Sequence, residues 1–136
     1  AKVIAHTELL SEAKKLAVSI AKTFAAEGID RNGGVNYEYN VSTKVLDTDK
    51  HWWPQAEAIV GLNYAYEISQ NESYLLLASK IWRFTKENLI DKKNGEWFWS
   101  VNGQNEPKVS TYKLGFWKAP YHNSRACMKM MHPVIL

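Results

Sequence analysis

Two runs of this 136-residue chain set bulky aromatics beside one ionisable group at the mouth of a helix: Trp52-Trp53-Pro54-Gln55-Ala56-Glu57, and Gly115-Phe116-Trp117-Lys118-Ala119-Pro120-Tyr121-His122-Asn123-Ser124-Arg125. Indole faces stack on the apolar C–H faces of a sugar ring, carboxylate and guanidinium groups bind its hydroxyls, and an imidazole titrating near neutrality moves a proton. Together they point to a carbohydrate site with an acid/base residue. Each has a plainer alternative. His122 beside Pro and Tyr could be a structural histidine, and one of the adjacent indoles Trp52 and Trp53 could cover the start of a buried helix. Glu57 is harder to explain as packing, because a carboxylate on an apolar helix is costly unless paired or ligand-facing. Arg125 lies one turn after His122 on the same helix face, where it could steady an oxyanion or hold Glu57. Trp97 and Trp99 alternate around Phe98 and read mainly as packing, and His51 reads as a surface residue. His6 and His132 read as incidental, and Cys127 as a small helix-packing residue.

The composition, 46% hydrophobic and 23% charged, is that of a folded globular protein of one-domain size. Six Trp, seven Tyr and four Phe exceed what a small core consumes, which favours a ligand surface or a missing partner. The net charge of +3 is scattered and gives no case for nucleic acid. No apolar run reaches membrane-spanning length, and the N-terminal residues lack a secretion signal. The lone cysteine, Cys127, fits a reducing compartment, so a cytoplasmic protein is expected. No Gly-rich phosphate loop, zinc-type Cys/His spacing or serine elbow is present.

These groups need elements to hold them. Leu9, Ala13, Leu16, Ile20 and Phe24 recur at helical spacing and predict an amphipathic helix over 7–27, stopped by Gly28 in the left-handed conformation. Asn32-Gly33-Gly34 reads as a turn and 35–39 as a short strand. A second helix is expected from Pro54 to about Ser69, apolar on nearly every side and therefore buried on most of them. Asn71 can cap a third over 72–89, carrying Leu75, Ala78, Trp82 and Leu89 on one stripe. Residues 96–101 look like a strand, 106–117 are irregular, and Pro120 opens a last helix. Four helices with β-inserts form an incomplete layer. Its simplest completion is a helical toroid in which buried inner helices are wrapped by amphipathic outer ones.

The series Asp47-Thr48-Asp49-Lys50, Trp52-Trp53-Pro54-Gln55-Ala56-Glu57-Ala58, Gly95-Glu96-Trp97-Phe98-Trp99, and Trp117-Lys118 with Pro120-Tyr121-His122-Asn123 and Arg125 resembles the N-acylglucosamine 2-epimerase superfamily, in its cellobiose 2-epimerase branch. The resemblance implies an all-α fold, part of an (α/α)6 barrel with short β-ribbon insertions. It implies epimerisation at C2 of a reducing-end aldose through an enediol-type intermediate, without metal or redox cofactor. His122 matches the later of the family's two catalytic histidines. Trp52, Trp53 and Glu57 match substrate-contacting positions, and Trp117 matches the aromatic five positions before the histidine. The three indoles are expected as stacking platforms, Glu57 as a hydroxyl acceptor that can orient an imidazole, and Arg125 as a further substrate-site residue.

The motif of the first catalytic histidine, His-x-Ile-Glu, would precede residue 1, and the chain starts without Met. Residues 1–136 are therefore expected to be a C-terminal fragment of a single barrel domain with half an active site. Little activity is expected of it alone, and its uncovered apolar faces should pair with the missing N-terminal part or self-associate. Two other readings remain: an aldose–ketose isomerase of the same superfamily, and a non-catalytic sugar-binding module.

Overall fold

The computed structural model describes residues 6–131. His132, read as incidental, lies outside them. Helix α1 (Thr7–Glu27) runs over the expected span, and His6 is its cap, its Nδ1 accepting from the Leu9 N–H at 3.2 Å. Gly28 stops it in the right-handed region (φ −87°) rather than the left-handed one expected, with its N–H bonded to the Phe24 carbonyl. The expected strand over 35–39 is displaced: β1 (Glu38–Asn40) pairs antiparallel with β2 (Val45–Asp47), and Val35 only bridges to Ile29.

Helix α2 (Trp52–Ser69) begins two residues before Pro54. Proline at the third helical position is still among the four N–H groups that no helix bonds, so it costs nothing there. The start is fixed from outside. Strand β3 (Lys50–His51) pairs antiparallel with β4 (Ser100–Val101), and the Trp52 N–H donates to the Trp99 carbonyl at 3.1 Å. The expected strand over 96–101 thus shrinks to two residues, with Trp97 bridged to Ile90. Helix α3 (Ser73–Phe84) continues as a π-helical turn over Thr85–Leu89, and α4 (Tyr121–Met131) follows Pro120. Helix α3 starts one residue later than expected, with Glu72 in the cap position, and Asn71, expected as the cap, accepts from the Ser73 N–H at 3.0 Å from one position further out.

Helix α2 is the centre of the fold, packed by α1, α3 and α4. Ala56, Ile59, Leu62 and Ala65 are buried with Ala78 and Ile81 of α3 and Ala126 of α4. Of its buried polar residues Gln55 and Asn63, Gln55 is fully satisfied. The amide oxygen accepts from Val35 N–H (2.8 Å) and the amide nitrogen donates to the carbonyls of Val35 (2.9 Å) and His51 (3.2 Å), pinning both preceding loops to the helix. Gly34 is required where it stands, because a Cβ would come within 2.8 Å of Lys50 and Phe84 side-chain carbons. On α1 only Ala21 is buried, while Leu9, Leu16 and Ile20 face outward.

Candidate active site

The α2–α4 contact brings Glu57 and His122 together across 65 residues of sequence. Glu57 Oε1 lies 2.8 Å from His122 Nδ1, and Glu57 Oε2 accepts from the Arg125 guanidinium. An ionised carboxylate can only accept, so Nδ1 is the donor, and in the neutral imidazole Nε2 then keeps a lone pair. Nε2 has no partner among the described residues. Arg125 also donates to the Tyr121 hydroxyl at 3.1 Å, with its guanidinium carbon 5.5 Å from that ring's centroid. Of the two roles open to Arg125, the geometry displays the grip on Glu57. The ion pair neutralises a carboxylate that α2 would otherwise leave uncompensated at the edge of the core.

His122 lines a cavity of about 310 Å³ with Trp53, Trp99, Trp117, Tyr37, His51 and the little surface Trp52 leaves open. A half-exposed wall of indoles around an imidazole suits a sugar ring, whose C–H faces stack while its hydroxyls reach polar groups. Trp53 is 40% exposed, its ring centroid 6.4 Å from that of His122, and Trp117, which also lines the cavity, is 79% exposed. Trp52, expected as an equal platform, is 4% exposed. It packs on Trp99 with centroids 4.6 Å apart, so it is the indole that covers the helix start. Trp97 is core, against Trp82, whereas Trp99 reaches the cavity. Cys127 packs against the core cluster, where burial first and the Glu96 charge second push its thiol pKa up.

His51 corrects the sequence reading. It is not a surface residue but half-buried, stacked on Tyr37 with centroids 3.9 Å apart, and it faces the same cavity as His122. Burial lowers its pKa, so it is neutral at pH 7. Its position before Trp52 was the one available signal. A second, larger cavity of about 500 Å³ lies between α1 and α2, lined by Ile20, Phe24, Trp53, Glu57 and Tyr64. Trp53 therefore lines both cavities, whereas Glu57 lines the one beside α1 and meets the other only through His122. Among the described residues no group of three or more His, Cys, Asp or Glu side chains gathers as metal ligands. No helix among them is long and apolar enough to cross a membrane.

The model of the N-acylglucosamine 2-epimerase (GlcNAc 2-epimerase) family matches residues 2–126. The chain belongs to this family. It is 37% identical over 131 residues to a cellobiose 2-epimerase of Bacteroides fragilis, covering 96% of this chain and 33% of that protein. A solved sugar epimerase from a ruminal bacterium superposes with a TM-score of 0.91 at 30% identity, over 99% of this chain and 34% of that one. The cellobiose 2-epimerase of Bacillus thermoamylovorans superposes with a TM-score of 0.79 at 34% identity, over 86% and 30%. The fold is thus all-α, part of an (α/α)6 barrel with short β-ribbon insertions. The chain spans about a third of the length of the curated relatives it matches.

Proposed function

We propose that this chain is the C-terminal third of a single-domain carbohydrate 2-epimerase that interconverts C2 epimers of a reducing-end aldose, with a disaccharide such as cellobiose as substrate. The observation that carries the reading is the Glu57–His122 contact beside an indole-lined cavity. After the sugar ring opens, C2 lies next to the C1 carbonyl. His122 Nε2 takes the C2 proton as the C–H electron pair moves into the C1–C2 bond and charge gathers on the carbonyl oxygen. A proton then returns to C2 from the opposite face. Glu57 holds the imidazole in the basic tautomer and stabilises the imidazolium when it forms. Trp53 and Trp117 stack on the sugar, Trp52 packs behind the site on Trp99, and Arg125 keeps Glu57 aimed.

The opposite-face acid comes from the rest of the barrel, which also covers the apolar face of α1. A second copy of the chain is the competing cover. A single free cysteine supports a cytoplasmic setting. The isomerase reading is favoured by one observation, 27% identity to a D-mannose isomerase of Marinomonas mediterranea over 106 residues. That reaction shares the enediol and returns the proton to C1. Grafting these residues in place of the matching third of the Bacteroides fragilis protein and analysing the products from cellobiose separates the readings. The epimerase reading expects the C2 epimer, the isomerase reading a ketose, and a sugar-binding module neither.

A further inference from the structure

Directly behind His122 lies a buried polar knot that the proposed chemistry does not use. Lys118 is 1% exposed, and its ammonium donates three bonds: to Glu96 Oε1 at 2.7 Å, to the Trp97 carbonyl at 3.0 Å and to the Lys113 carbonyl at 2.7 Å. It also lies 5.5 Å from the ring centroid of Trp52. The same Glu96 oxygen accepts from the Asn123 side-chain amide at 2.7 Å. One carboxylate thus joins the loop carrying Trp117 to the first turn of α4.

Three features go beyond what packing requires. An ion pair that buries an ammonium completely, as Lys118 is buried here, is often no more stabilising than apolar side chains of the same volume, so its presence calls for another reason. Glu96 adopts φ +62°, a left-handed conformation that a residue with a Cβ takes only at a cost. Asn123 is buried, and its amide oxygen has no partner among the described residues. Successive residues on a helix point about 100° apart. The first turn of α4 is therefore held between two carboxylates, Glu57 through His122 and Glu96 through Asn123. Turning the helix to loosen one bond would pull on the other.

We propose that Asn123, Glu96 and Lys118 form a positioning network that sets the rotation of α4 at which His122 Nδ1 meets Glu57, and so fixes the basic tautomer of His122. The inference rests on the proton-transfer role proposed above. Glu96 is ionised at neutral pH: burial raises its carboxyl pKa, but the bonds from Lys118, the Trp97 N–H and Asn123 outweigh burial and hold it below the ordinary value. The network acts through His122 and touches no substrate.

The test is long-range proton–nitrogen correlation NMR on this chain labelled with [15N]histidine, at a pH where imidazoles are neutral, with His122→Gln to assign the signals. The wild type should show His122 with its proton on Nδ1. Asn123→Ala leaves Glu57 and Arg125 untouched. It should raise the population of the Nε2–H tautomer about fivefold, the worth of one net hydrogen bond, while far-ultraviolet circular dichroism stays native. Glu96→Gln should move the same signals in the same direction by less, and serves if Asn123→Ala does not fold. A folded variant of either kind with unchanged His122 nitrogen shifts would overturn the network. A wild type without the Nδ1–H form would instead remove the proton-transfer reading, and the network with it.

Discussion

Helices α1 and α2 pack against each other, yet α2 buries eight of its 18 residues and α1 one of its 21. The difference lies in how each is surrounded, since α2 is wrapped by α1, α3 and α4 while the main partner of α1 among the described residues is α2. The candidate site sits on the border between these regions. His122, Asn123 and Lys118 belong to the finished side, where the buried Lys118 ammonium is held by Glu96 and two carbonyls. Glu57 and Trp53 also face the cavity left open beside α1. The holding of the imidazole is complete within this chain, and the enclosure of the cavity is not.

The finished side should break first. Glu96→Ala would strand the buried Lys118 ammonium and should cost about 3–5 kcal/mol, the usual effect of removing one partner of a buried pair. Urea unfolding checks this, and a loss under about 1 kcal/mol would mean the knot is less buried than described. Ile59→Ala empties a fully buried position on α2 and should cost about 2–5 kcal/mol. Leu16→Ser on α1, at a position 62% exposed, should change stability by no more than about 0.5 kcal/mol. Similar losses at the two aliphatic positions would erase the contrast between the helices.

Acid sharpens the same comparison. The Glu96 carboxyl is held below its ordinary value of 4.5 in the fold, so its contribution to stability is whole above that pH and disappears as pH falls through the folded value. The urea midpoint should drop on acidification below about pH 4.5, and Glu96→Gln should flatten part of that drop. An unchanged slope in the variant would assign the acid sensitivity to other carboxylates, such as Asp30 beside Lys50.

Much of this was legible in the sequence where the signal is local. The three- and four-residue spacing of Leu9 to Phe24 defined α1 to the residue, and the near-uniform apolar surface of 54–69 marked α2 as the buried helix. The ribbons were not legible. β1 and β2 are three exposed residues each, without a buried face to impose alternation, and β3 pairs with β4 across about fifty residues. That distant pairing, and not Pro54, sets where α2 begins. His51 was misread for the same reason, since its burial comes from stacking on Tyr37, fourteen positions away. Glu57 was singled out because its cost on an apolar helix is visible in one dimension. Its simultaneous grip on His122 and Arg125 had to await the α2–α4 packing.

The central claim is that His122, held by Glu57, moves the C2 proton. Proton NMR of cellobiose in D2O, with these residues grafted into the Bacteroides fragilis barrel, follows loss of the C2 proton signal directly. The account predicts exchange with the native graft and a fall of about 10²–10⁴-fold with His122→Ala, the usual contribution of a general base. Exchange that persists unchanged in the His122→Ala graft would contradict it.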